Sequence, residues 1–204
     1  MTKILSSSDE CLQKAARILL DGGVVAIPTD TVYGFAALVT NEEAVARLYK
    51  IKERNPIKSI AVLLSDAEQA PMVAGHFSSF AQRITEVYWP GALTVIVDKK
   101  AGLPGNLTSN NTVGIRVPDH DFARELMRLT GPLATTSANH SGEPPAKKVS
   151  DFADSLGDQL DLIIDDGPVM GGVPSTVINC SVEEPVVLRE GAIPGAELLK
   201  YRSA

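Results

Sequence analysis

Short apolar runs separated by amphipathic stretches constrain this chain more than any other feature. Strand-like runs fall at 24–27, 60–64, 93–97, 113–117, 133–136, 162–164, 176–178 and 186–188, each short, rich in Val, Ile or Leu, and bounded by turn residues. Helical spacing of apolar residues falls between them, at 42–53, 78–88, 121–130 and 150–156. A further helix starts at Ser8 or Asp9, carries the stripe Leu12, Ala15, Ala16, Leu19 and Leu20, and stops at Gly22-Gly23,. Strands interleaved with helices predict a layered α/β domain built on a mixed sheet. Within 204 residues no linker, repeat or change of composition divides the chain, so 1–204 reads as a single domain,.

Composition excludes several classes. Hydrophobic residues make up 44% and charged residues 22%, enough apolar surface for a core and too much for disorder,. No run approaches the roughly 18 apolar residues of a membrane span, and MTKILSSSDE lacks a signal-peptide core, so a cytoplasmic protein without membrane contact is expected,. Cys11 and Cys180 are the only cysteines, which excludes a disulfide framework and a CxxC site,. His76, His120 and His140 have no ligand spacing, so no protein-held metal is expected,.

The polar chemistry sits in the connections. After the run 24–27 the chain crowds Thr29, Asp30, Thr31 and Tyr33 in front of Gly34. These residues suit a turn or a cap, and equally a ligand loop at the end of a sheet. In 49–60, YKIKERNPIKSI, the residues Lys50, Lys52, Arg54 and Lys58 gather four cations inside a protein of net charge −6. That run is either a solvated helix face or a local field for a polyphosphate. Arg116 lies inside an apolar strand, where it either reaches solvent from an edge or turns its planar fork into a cleft to bind a carboxylate,. The run 133–136 ends, like the first, in hydroxyls and an amide, Thr135, Thr136, Ser137 and Asn139. No Walker A sequence, GxGxxG or GxSxG is present,. An anionic ligand with small polar parts is the ligand class these segments suit.

Seven strings then carry a resemblance: PTDTVYG at 28–34, KER at 52–54 with Lys58, WPGALTVIV at 89–97, TVGIRVPDH at 112–120, TSANHSG at 136–142, PSTVIN at 174–179 and VLREGAI at 187–193. In this order, over about residues 10–195, the chain resembles the YrdC-like threonylcarbamoyl-AMP synthase family. The resemblance implies a twisted mixed sheet with flanking helices and a concave central cavity. It also implies a nucleotidyl transfer that turns L-threonine, bicarbonate and ATP, with Mg2+, into threonylcarbamoyl-AMP and pyrophosphate. The product serves the threonylcarbamoyladenosine modification of tRNA, reached through a transfer enzyme, and a contact with tRNA or double-stranded RNA is a further implied partner. Position by position, Thr31, Arg116 and Thr135 match threonine-binding places. Arg54, Lys58, Thr112, Ser137, Asn139, Ser175 and Arg189 match places around ATP, and Lys52 with Arg54 match the catalytic cations.

The chain departs from the family pattern at Asn55-Pro56, at Leu63 where some members carry a threonine-contacting His, and at Pro145 where some carry a nucleotide-binding Ser. The extra C-terminal domain of longer members is not expected here. The implied reaction needs no nucleophilic side chain, only positioning and neutralisation of phosphate charge. Two alternatives stay open: an RNA-binding protein on the same fold, and a paralogue with another nucleotide or acyl-phosphate chemistry.

Overall fold

A computed structural model describes residues 2–53, 55 and 59–203. Among the described residues eleven strands form one sheet: β1 Lys3–Ser6, β2 Val25–Ile27, β3 Gly34–Leu38, β4 Ala61–Leu63, β5 Ala74–His76, β6 Leu93–Lys99, β7 Thr112–Arg116, β8 Leu133–Ser137, β9 Leu162–Asp165, β10 Thr176–Asn179 and β11 Val186–Arg189. The helices are α1 Asp9–Leu20, α2 Glu42–Ile51, α3 Ala70–Val73, α4 Ser79–Tyr88, α5 Asp121–Thr130, α6 Ala153–Leu156 and α7 Gly195–Leu199. The strand order is β1-β9-β2-β3-β8-β4-β7-β6-β10-β11, with β5 on β6, and parallel and antiparallel pairs are mixed. The sheet is therefore the mixed α/β sheet that the alternation predicts.

Local chemistry explains where the main helices begin. Ser8 Oγ accepts from the Cys11 amide at 3.2 Å, and Asp9 and Glu10 place negative charge in the first turn of α1,. Asn41 Oδ1 accepts from the Ala44 amide at 2.9 Å to start α2. Past α1, Gly22 takes a φ of +86°, a left-handed conformation that the Gly-Gly stop predicts,. The helical pattern at 150–156 resolves into a 3-10 turn at Val149–Asp151 followed by α6.

The two faces of the sheet are covered differently, and this creates the site. On one face Ala26, Phe35, Val62, Val95, Val97, Val113, Ile115 and Ala134 pack with α2 and α4 in the larger core. On the other, Val25, Ile27, Ala36, Leu133, Leu162 and Ile164 pack beneath α1 and α5. These two helices cover the β9-β2-β3-β8 side of their face and reach β4 at Leu63. Register carries the same face onward, through Ala61 opposite Thr135, Leu63 beside Arg116, Ile96 opposite Gly114 and Thr94 beside Val177,. Of the apolar residues among these only Leu63 belongs to that core, and together these positions form the floor of a cleft.

Candidate functional site: a hydroxyl-lined cleft with two arginines

The cleft has a volume of about 330 Å³, within the range of small-molecule sites. Period two along each strand sets Thr94, Gly114, Arg116, Thr135 and Ser137 on its floor, and the 29–34 loop and Pro174-Ser175 wall it,. Gly34 and Gly114 keep the floor low. A Cβ on Gly34 would stand 2.7 Å from Thr135 Cγ2, and one on Gly114 3.3 Å from Thr94 Cγ2.

The crowded 29–33 loop divides its labour. Thr29 is the turn residue: its hydroxyl donates to the Val32 carbonyl at 2.6 Å and accepts from the Thr31 and Val32 amides, both at 3.2 Å,. That turn aims its two neighbours at Arg116. Arg116 donates from Nη1 to Thr31 Oγ1 at 2.8 Å, from Nη2 to Asp30 Oδ1 at 2.5 Å, and from Nε to the Gly91 carbonyl at 2.8 Å. Gly91 is itself tied down through its amide to the Val117 carbonyl, at 2.8 Å. Arg116 is only 6% exposed. Burial pushes its pKa below the ordinary arginine value, the Asp30 carboxylate opposes that shift, and the like charge of Arg189 reinforces it. The strand arginine thus turns into the cleft rather than out to solvent.

The opposite wall is built on Ser175. Its hydroxyl lies 2.8 Å from Thr94 Oγ1, and its carbonyl accepts from Arg189 Nε and Nη2 at 3.1 and 2.8 Å. Arg189 is exposed, so its charge faces the cleft and the solvent together. Thr31, Arg116, Thr135, Ser137, Ser175 and Arg189 are therefore brought to one cleft from five separate segments.

Three expected residues stand elsewhere. Lys52 is 2% exposed and lies behind the cleft lining, where its ammonium donates to the Ser137 carbonyl at 2.6 Å, Ser137 Oγ at 2.9 Å and Asn139 Oδ1 at 2.6 Å. The solvated-face reading of this cation gives way to a buried anchor of the 137–139 segment. Asn139 is spent inside the same loop, donating from Nδ2 to the carbonyls of His140 and Glu143 at 2.8 and 2.7 Å. Thr112 opens β7 outside the lining, with its hydroxyl donating to Asn110 Oδ1 at 2.9 Å. Arg54 and Lys58 lie outside the described residues.

Thr94 is a cleft residue that sequence reading did not single out. Its signal was present: within LTVIV it is the one polar residue, and alternation puts it on the face opposite Val95. Leu63 and Pro145 both line the cleft, and Leu63 stands next to Arg116 in register. Among the described residues no group of three or more His, Cys, Asp or Glu could hold a metal ion. Asp30, the carboxylate nearest the floor, is already paired with Arg116. Among the described residues the donor set does not fit a resident Mg2+,.

Such a fold and cleft define an α/β protein with a hydroxyl-lined cleft faced by two guanidinium groups. The chain belongs to the Sua5/YciO/YrdC family, whose family model, described as "Telomere recombination", matches residues 17–191. It is similar to the threonylcarbamoyl-AMP synthase of Bacillus subtilis, 39% identical over 95% of this chain and 57% of the relative. It is similar also to the putative threonylcarbamoyl-AMP synthase of Methanocaldococcus jannaschii, 34% identical over 97% and 96% of the two chains. The chain spans little more than half the length of the Bacillus subtilis and Pyrococcus abyssi relatives, 57% and 55%. Among solved structures, Pyrococcus abyssi Sua5 complexed with L-threonine superposes with a TM-score of 0.95, at 32% identity over 98% of this chain and 61% of that one. Escherichia coli YciO superposes with a TM-score of 0.86, at 26% identity over 94% and 97% of the two chains.

Proposed function

We propose that the chain is an L-threonylcarbamoyladenylate synthase, converting L-threonine, bicarbonate and ATP into threonylcarbamoyl-AMP, pyrophosphate and water. The observation that carries this reading is the Arg116 fork, fixed by Thr31, Asp30 and Gly91 on the floor of a hydroxyl-lined cleft. A guanidinium offers five N–H donors, and three are used by these partners. Two remain for a substrate carboxylate, which is the number a bidentate contact needs. Similarity to the synthases of Bacillus subtilis and Methanocaldococcus jannaschii, and to the threonine complex of Pyrococcus abyssi Sua5, supports the same assignment.

In this reading Arg116 holds the threonine carboxylate while Thr31 and Thr135 orient the hydroxyl. The freed amine adds to bicarbonate with loss of water, giving an N-carboxylate. That carboxylate oxygen attacks the α-phosphorus of ATP, and pyrophosphate leaves. Arg189 and the Ser175 hydroxyl receive the phosphates from one wall, Ser137 borders the nucleotide, and Arg54 and Lys58 complete the phosphate side. Lys52 acts through Ser137 and Asn139 as a positioning residue. Neutralising the phosphate charge as it builds is the main catalytic contribution asked of these side chains. The metal–ATP complex is the nucleotide substrate, and a walled cleft limits the water that would break down a carbamate.

The chain 1–204 acts as one YrdC-like domain, in keeping with its single sheet. The product passes to a transfer enzyme for tRNA threonylcarbamoyladenosine formation in the cytoplasm. The test is pyrophosphate release measured with threonine, bicarbonate and ATP, each omitted in turn. Release is expected only with all three, and serine is expected to replace threonine poorly, since a methyl group is worth about 1–3 kcal/mol. Release without threonine, or none with the full set, would overturn the assignment.

A further inference from the structure

Two guanidinium groups face one cleft that must take both a zwitterionic amino acid and a polyphosphate. Among the described lining residues Arg116 and Arg189 are the charged ones, and no carboxylate lines the cleft. An unpaired, desolvated Arg116 would be the strongest anion trap in the site, because charge attraction grows as water is removed. A phosphate lodged there would occupy the place of threonine.

Asp30 stands where it prevents this. Its carboxylate pairs with Arg116 at 2.5 Å yet is absent from the lining, so it meets the guanidinium from the 29–34 loop without facing the cleft. The 170–172 segment closes over the same place: the Gly172 amide donates to the Thr31 carbonyl at 2.8 Å, and a Cβ on Gly171 would come within 2.5 Å of the Asp30 carbonyl. Arg116 with Asp30 therefore shows the cleft two N–H donors and almost no net charge. Arg189 is fastened to Ser175 and exposed, and it keeps its attraction for anions at the far wall.

We propose that Asp30 is a specificity-determining residue, which neutralises Arg116 so that the amino-acid half of the cleft accepts zwitterionic threonine and rejects polyphosphate. This rests on the reading given under Proposed function and adds a sorting role to it. Threonine has no net charge, so its affinity depends on the N–H fork and little on the charge of the pair. Pyrophosphate, with several negative charges, depends on that charge strongly.

The test titrates inorganic pyrophosphate and L-threonine, separately and in competition, into the parent protein, Asp30→Asn, and the Asp30→Asn/Arg116→Gln double variant. In the parent, saturating pyrophosphate is expected to leave threonine binding in place. In Asp30→Asn, pyrophosphate should bind roughly ten-fold tighter or more and compete with threonine, whose own affinity changes far less. The double variant should lose that gain. A purely structural Asp30 would weaken both ligands together, and that outcome overturns the proposal, as does displacement of threonine by pyrophosphate in the parent. If Asp30→Asn fails to fold, the parent competition still decides. A parent that binds no threonine refutes the synthase reading, while a pyrophosphate gain in Asp30→Asn that the double variant reverses would still uphold charge neutralisation by Asp30.

Discussion

Replacing Lys52 with Met separates a buried anchor from a phosphate clamp. The substitution keeps most of the aliphatic stem and removes an ammonium whose three N–H donors meet Ser137 O, Ser137 Oγ and Asn139 Oδ1 at 2.6, 2.9 and 2.6 Å,. Each acceptor left buried without a donor costs about 1–3 kcal/mol. The Ser137 hydroxyl can turn to another partner, and loss of the buried ammonium relieves its own desolvation cost, so these penalties do not add. A net loss of about 2–4 kcal/mol is expected. For a domain of this size that lowers the melting temperature by roughly 4–16 °C. Thermal unfolding followed by circular dichroism without ligand measures the shift, and ATP titration of the folded variant at low temperature measures any direct loss. A solvated cation would leave both melting and ATP affinity nearly unchanged, and a pure phosphate clamp would leave melting unchanged and lower ATP affinity. A shift under about 2 °C with the clamp pattern refutes the anchor.

Three further outcomes can be checked on the same protein. Arg116→Lys keeps the charge and loses the fork, so threonine use should fall by about 10–150-fold while binding of ATP alone changes little, as read by titration. Gly34→Ala puts a methyl 2.7 Å from Thr135 Cγ2; steady-state kinetics should give a threonine KM raised about ten-fold with the fold retained, and an unchanged KM would mean that Thr135 does not touch the substrate. Burial pushes the Cys180 thiol up to about 12, so thiol reagents at pH 8 should label it only after denaturation. Because an unfolded thiol ionises near about pH 8.5, stability contributed by the buried neutral form should decline as pH rises from about 9 towards 12. Cys180→Ala should flatten that alkaline limb in denaturant titrations, and an unaltered limb would assign it to other groups.

The sequence made the strands legible wherever their residues were apolar and β-branched. All eight runs became strands, and the helices at 42–53, 78–88 and 121–130 ended within two residues of expectation. The missed strands are those without that signal. β1 is mostly exposed and short, β3 reads GFAAL with no β-branched residue, and β5 contains Gly75,. β3 is the costly omission, because it joins β2 to β8 and so brings Thr31 and Thr135 to one site. Family resemblance supplied Thr31, Arg116, Thr135, Ser137, Ser175 and Arg189, which the structure gathers around the cleft. It could not tell a lining residue from the one behind it. Lys52, Asn139 and Thr112 carry the same kind of positional match, whereas the contacts made in the fold decide what each touches.

β6 and β7 carry two kinds of information on alternate residues. Val95, Val97, Val113 and Ile115 face the larger core, while Thr94, Ile96, Gly114 and Arg116 face the cleft. Selection for a stable body and selection for a new ligand therefore act on separate letters of the same two segments. Drift at the cleft positions leaves the packing beneath unaltered, and drift in the core leaves the recognition surface in register. Such a sheet can keep its shape while a lineage rewrites what it binds, one odd or even position at a time.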